Sequence, residues 1–286
     1  MGPALALASA ILYGAGDFFG GFTARRANTT AAVLVSQAAG LLLLLLILPL
    51  LPHAALRARD LSWGVTAGLA GGVGVALLYR ALAIGTMAVV APVPAVCAGI
   101  VPVAAAALDG ERVSRLSAAG IAVALVAIVL VSRPREAGEP QPRRPSRRLP
   151  PGLLLAFASG VAIGIFFLAL ARTSGNGGML PLVAARSASV ALFAGVAVVT
   201  KARVRMAAPT ALLALAGGSL DMTANALYLV ATHHAALSIT ATLASLYPAS
   251  TIVLARVVLG ERLSVWQSVG IWLALGAIVL IVTGGG

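Results

Sequence analysis

Apolar residues run along this chain in long continuous blocks separated by short polar stretches, not in the alternating pattern of barrel strands. A helix needs about 20 apolar residues to cross a bilayer. Ten blocks meet that need: 4–24, 30–51, 62–83, 87–108, 114–132, 151–171, 179–200, 210–231, 236–259 and 264–283. Between the fifth and sixth, the stretch "RPREAGEPQPRRPSRRLP" (133–150) is rich in Pro and Arg and almost free of apolar residues. It reads as a linker between a first unit (1–132) and a second (151–286). The first block carries no basic leader and reads as a spanning helix, not a cleaved signal.

The two units repeat each other. "GERVSRLSAAGIAVALVAIVL" (110–130) aligns without gaps on "GERLSVWQSVGIWLALGAIVL" (260–280), with 12 of 21 positions identical at an offset of 150. Apolar composition accounts for several of those matches, but not for the shared Gly-Glu-Arg-x-Ser. Each unit holds five expected spans, an odd number, so the second enters the membrane opposite to the first. The expected fold is therefore an all-α integral membrane protein with ten transmembrane helices, arranged as two five-helix inverted-topology repeats. In secondary transporters of that plan, substrate sites lie near the midplane between the repeats.

These motifs resemble the EamA family of the drug/metabolite transporter superfamily. The likeness rests on the two turns Gly110-Glu111-Arg112 and Gly260-Glu261-Arg262, each followed by a Gly-Ile helix. It rests also on "NALYLVATHHAALSITATLASLYPASTIVLARVVLGE" (225–261), with Tyr247-Pro248 ahead of the Glu. The resemblance spans essentially the whole chain. It implies ten helices, a central cavity and movement of small organic metabolites, commonly by export. It does not carry a substrate over. The first half departs from the pattern, with Ala98 where Pro248 would map. Aligning Tyr228 on Tyr79 sets Asn225 against Ala76.

Composition fits the same class. The chain is 60% hydrophobic and 10% charged, where soluble domains are about 45–50% apolar and about 25% charged. Its net charge of +12 lies in short inter-helix segments and reads as topology and headgroup contact, not nucleic-acid binding. The single cysteine, Cys97, excludes an intrachain disulfide. Basic residues are denser on the linker side, which places the linker in the cytoplasm and both termini outside. The family resemblance implies termini inside, and the two do not agree.

Ionisable groups inside apolar spans are costly, so they normally face a cavity or a partner. Asp17 lies in "LYGAGDFFGGF" among Gly14, Gly20 and Gly21, with Tyr13 one turn away. It reads as a proton-titrated carboxylate or a seat for a cationic group, against an interhelix hydrogen bond. Gly217, Asp221 and Asn225 recur every four residues, followed by Tyr228, as a polar stripe on one helix face. Arg186 could pair with either acid, bind a substrate carboxylate, or snorkel; Gln37 is its neutral counterpart in the second span. Tyr79 and Tyr247 offer rings and hydroxyls, with packing as the plainer role. Gly110, Glu111, Gly260 and Glu261 read as structural turns, the Gly ending a helix and the Glu meeting orphan N–H groups. His233 and His234 are adjacent and point apart, so they make no shared metal site.

The expected function is secondary active transport, as an exporter, of a small organic metabolite such as an amino acid or related compound. The substrate or coupling residues would be Asp17, Asp221, Asn225, Tyr228, Arg186, Gln37, Tyr79 and Tyr247. A proton is the expected coupling ion, because a carboxylate taken out of water holds its proton to higher pH. A non-transporting scaffold or receptor component and a passive channel are the alternatives. No Walker, HExxH or GxSxG motif is present, so no enzyme activity, cofactor or metal is expected. Expected partners are the substrate, the lipid bilayer of the plasma membrane and, as an open option, a second copy of the chain.

Overall fold

The computed structural model describes residues 1–51, 54–55, 57–84, 92–131, 152–259 and 264–284. Among them there is helix and no strand. The helices are α1 (Gly2–Ala24), α2 (Thr29–Ile47), α3 (Ala58–Ile84), α4 (Pro92–Leu108), α5 (Arg115–Val131), α6 (Leu153–Ala171), α7 (Leu180–Val199), α8 (Ala208–Thr232), α9 (Leu237–Ala244), α10 (Tyr247–Leu259) and α11 (Val265–Gly284). Local signals set several ends. Prolines open α1, α7 and α8, where their missing N–H costs nothing. The Asn28 side chain accepts the Thr30 N–H at 2.9 Å and caps α2. Gly110 follows α4 with φ +79°, the left-handed conformation that glycine adopts without strain.

Among the described residues, six helices are long and apolar enough to cross a bilayer: α1, α2 with the short turn after it, α3, α6, α7 and α8. Helices α4, α5 and α11 are apolar over shorter lengths. One expectation needs correction. The span 236–259 is two helices, not one. The N–H of Ser245 still bonds Ala241, but that of Leu246 reaches back only to Leu243. Pro248, in the first turn of α10, has no N–H to continue the ladder. The turn residues Gly260 and Glu261, and the linker 133–150, lie outside the described residues.

The tight helix pairs all join one half to the other. Helix α1 packs on α8 and α10, α3 on α6 and α7, α4 on α6 and α9, α2 on α7 and α8, and α5 on α11. These pairs exchange under the offset of 150: α1 with α8 becomes α6 with α3, and α2 with α8 becomes α7 with α3. Single hydrogen bonds obey the same exchange. Ser9 Oγ donates to the Ala224 carbonyl at 2.8 Å, and Ser159 Oγ to the Gly74 carbonyl at 2.7 Å. Helices α5 and α11, which are equivalent, run antiparallel: Gly120 meets Ile281 while Gly284 meets Ser117.

This symmetry corrects the Tyr-on-Tyr register. Ala224 matches Gly74, so Asn225 matches Val75 rather than Ala76, and Tyr228 matches Leu78. The shared tyrosine is a one-residue slip.

In lipid, helices gain little hydrophobic force from meeting, and close packing of small residues replaces it. Gly64 and Gly68 on α3 lie against the Pro181 and Ala185 carbonyls of α7, and Gly218 on α8 lies against the Ser36 carbonyl of α2. Gly14 faces Ser250 and Thr251, and its equivalent Gly164 faces Val101. A methyl group at any of these five would collide with its neighbour.

One end of the bundle is tied by polar contacts. Asp60 accepts from Ser174 N at 2.8 Å and Ser174 Oγ at 2.5 Å. Arg172 pairs with Asp109. His233 Nε2 lies 3.1 Å from the Thr173 carbonyl. Glu111 accepts the N–H groups of Leu237 at 2.9 Å and Ser238 at 3.1 Å, and the Ser238 hydroxyl. It thus caps α9, a helix of the opposite half, rather than the helix that follows it in sequence.

Candidate functional site

Five helices bring polar side chains to one place at mid-bundle. Arg186 projects from the middle of α7 with 6% of its surface exposed. Its three guanidinium nitrogens point at three groups: Nη2 pairs with the Asp221 carboxylate on α8, Nη1 donates to Gln37 Oε1 on α2, and Nε lies 3.4 Å from the Met222 sulfur. The close approach of α2 allows this, because Gly40 presents no side chain towards Met222 and the guanidinium.

The network continues on both sides. Asn225, one turn along α8, donates from Nδ2 to Asp221 Oδ2 at 3.2 Å and accepts the Tyr13 hydroxyl on Oδ1. Ser189, one turn along α7, donates to Gln37 Oε1 at 3.3 Å. So a hydrogen-bonded line runs Tyr13, Asn225, Asp221, Arg186, Gln37, Ser189 across four helices. A buried charge is tolerated when it is paired and hydrogen-bonded, and Arg186 meets both conditions.

Beside this line is a small cavity of about 60 Å³. Asp17, Asp221, Asn225, Arg186, Gln37 and Tyr247 all contribute to its wall. The opposite wall is apolar, formed by Val75 and Leu78 of α3 and Ile163, Phe166 and Phe167 of α6. The equivalence of the halves makes this division plain. Asn225 matches Val75, Asp221 matches Gly71, Tyr13 matches Ile163 and Asp17 matches Phe167. Each of these four polar groups has an apolar or absent side chain at its equivalent position, whereas Gln37 and Arg186 match Ser187 and Ser36.

Two groups at the cavity remain apart from the network. Among the described residues, the Asp17 carboxylate has no hydrogen bond or ion pair, although it lies within electrostatic reach of Asp221. The Tyr247 hydroxyl is buried with no hydrogen-bond partner and within electrostatic reach of Asp17.

Two expected site residues lie off the wall. Tyr228 is fully buried; its hydroxyl donates to the Phe167 carbonyl at 3.2 Å and its ring stacks 4.5 Å from Phe167. Tyr79 is buried against Gly20. Sequence reasoning missed Tyr13, Met222 and Ser189 as parts of the network. Tyr13 was one turn from Asp17, which signals a shared face but not a partner on another helix. Among the described residues, no group of His, Cys, Asp and Glu is arranged to hold a metal.

Comparison with known proteins gives the same frame. Two segments, residues 1–133 and 150–283, match the model of the EamA-like transporter family. A solved structure described only as "Crystal structure of protein" shares the fold, with a TM-score of 0.69 at 18% identity over 99% of this chain and 97% of that one. No curated protein matches.

Proposed function

The chain belongs to the EamA-like transporter family, a family of multi-pass membrane proteins, and on that premise we propose that it is a secondary active transporter. It exports a small organic metabolite, such as an amino acid or related compound, across the plasma membrane by alternating access. Its helices form ten spans in two five-helix inverted repeats, α9 and α10 together making one span. Protons drive the cycle, with Asp17 as the titrating carboxylate.

The observation that supports this reading most is the cavity itself. It lies where the two halves cross, and both halves contribute to its wall: Asp17, Gln37 and Val75 from one, Arg186, Asp221 and Phe167 from the other. A motion of one half against the other would open such a site to either side in turn. A scaffold has no need of a cavity whose carboxylate, among the described residues, is unpaired.

The test is comparative export. Cells producing the wild type, Asp17→Asn or Asp221→Asn at matched membrane levels are compared with vector controls by profiling metabolites in the medium. The expected result is one or a few compounds enriched with the wild type alone. A wild-type profile equal to the vector's would count against transport.

A further inference from the structure

The cavity carries a charge imbalance that points to the chemistry of its ligand. Among the described residues Arg186 is the one cation in its wall, and all three of its nitrogens are directed at protein groups: Asp221, Gln37 and Met222. Asp221 is in turn shared between Arg186 and Asn225. The pair is neutral as a unit, and three of the five guanidinium N–H groups are engaged by protein. An anionic ligand would bring a second negative charge beside Asp221 and Asp17 and compete with Asp221 for Arg186.

What is left over has the opposite character. Asp17 contributes a carboxylate to the wall with no hydrogen bond or ion pair among the described residues. The Tyr247 hydroxyl, on a side chain 7% exposed, stands unpartnered within its electrostatic reach. A carboxylate and a phenol oxygen both accept from an ammonium group. The facing wall of Val75, Leu78, Ile163 and Phe166 offers an apolar surface and no second charge.

We propose that the cavity takes a compact organic amine, its ammonium against Asp17 and Tyr247 and its apolar body against α3 and α6. This rests on the transport reading above and narrows it: the ligand is recognised by its amine, and a carboxylate is no part of the recognition. When Asp17 is ionised, a neutral ligand would leave it without a counterion, and an anion would meet it as a like charge. The two-sided wall matches the difference between the halves at this site. An amphipathic cation has a charged end and an apolar end, and each half serves one.

The experiment uses the full chain in lipid nanodiscs and three probes of one size: 2-phenylethylammonium, 3-phenylpropionate and 2-phenylethanol. Dissociation constants are measured by titration calorimetry. The expected result is that the ammonium binds at least tenfold more tightly than either other probe. Asp17→Asn loses at least tenfold of that affinity, Asp17→Glu retains most of it, and Tyr247→Phe loses a few-fold. The ranking of probes on the wild type needs no variant to fold. Preference for the carboxylate, equal binding of all three, or no binding at millimolar probe overturns the assignment, as does an Asp17→Asn protein that binds the ammonium unchanged. The two readings fail separately. If the exported compounds are anions and the carboxylate probe ranks first, transport stands and the amine assignment falls. If the ammonium binds as expected but the medium matches the vector's, the assignment stands and transport falls.

Discussion

Arg186 and Asp221 hold each other, whereas Asp17 has no hydrogen bond or ion pair among the described residues, and substitution should separate them. Asp221→Asn leaves a guanidinium that is 7% exposed without its counterion. Breaking a buried pair from one side costs about 3–5 kcal/mol, so this variant should unfold earlier by about that amount. Asp17→Asn removes no contact and should change stability by less than about 0.5 kcal/mol. Chemical unfolding in mixed micelles measures both, and equal losses would contradict the pairing. The matched hydroxyls give a finer check. Ser9→Ala and Ser159→Ala each remove one interhelix hydrogen bond to an equivalent carbonyl. Both should cost a similar ~0.6 kcal/mol, a typical value for such bonds in membrane proteins. At this scale the sequence made Asp17, Asp221, Arg186 and Gln37 legible, because ionic and amide groups stand out in apolar spans. It left open which acid Arg186 would choose, because that depends on how α7 is rotated against α8.

Among the elements, α9 shows most clearly what local pattern omits. Its composition reads as the start of a long span, yet the helix stops at Ala244 and a new one begins at Tyr247. The helix is eight residues long, too short to be stable in isolation, and its N-terminal N–H groups are met by Glu111 from the other half. Glu111→Ala should therefore release three hydrogen bonds at once and cost at least about 1.5–3 kcal/mol, the range for one bond to a charged group. Hydrogen exchange should speed up at Leu237 and Ser238 before it changes in α8. Exchange unchanged at those two amides would show that the cap does not hold α9. The Gly-Glu-Arg motif announced a turn with an acid aimed at orphan donors. It did not announce that those donors belong to a helix 126 residues away. The glycine stripes behave in the same way. Gly68→Val should prevent α3 from closing on α7, with loss of the monodisperse species on size exclusion, and Gly218→Val should do the same to α8 on α2.

At the scale of the molecule, every tight helix pair among the described residues crosses between the halves, and pairs within a half are sparse. Neither half has a packed interior of its own. Residues 1–132 produced alone should be degraded, and co-production with residues 151–286 should restore both, read as the abundance of each fragment in the membrane. Survival of either fragment alone at full-chain levels would refute the interlocked packing. The helical class, the membrane setting and the repeat follow from the chain directly, since runs of apolar residues and a motif recurring at an offset of 150 are properties of order along the sequence. The partnership of Arg186 with Asp221 and Gln37, the solitude of Asp17, the break after Ala244 and the cap from Glu111 do not. They are set by which helices meet and at what rotation. In a bilayer that choice rests on close packing of glycines and on single hydrogen bonds spread over distant residues, and no local stretch of sequence contains them.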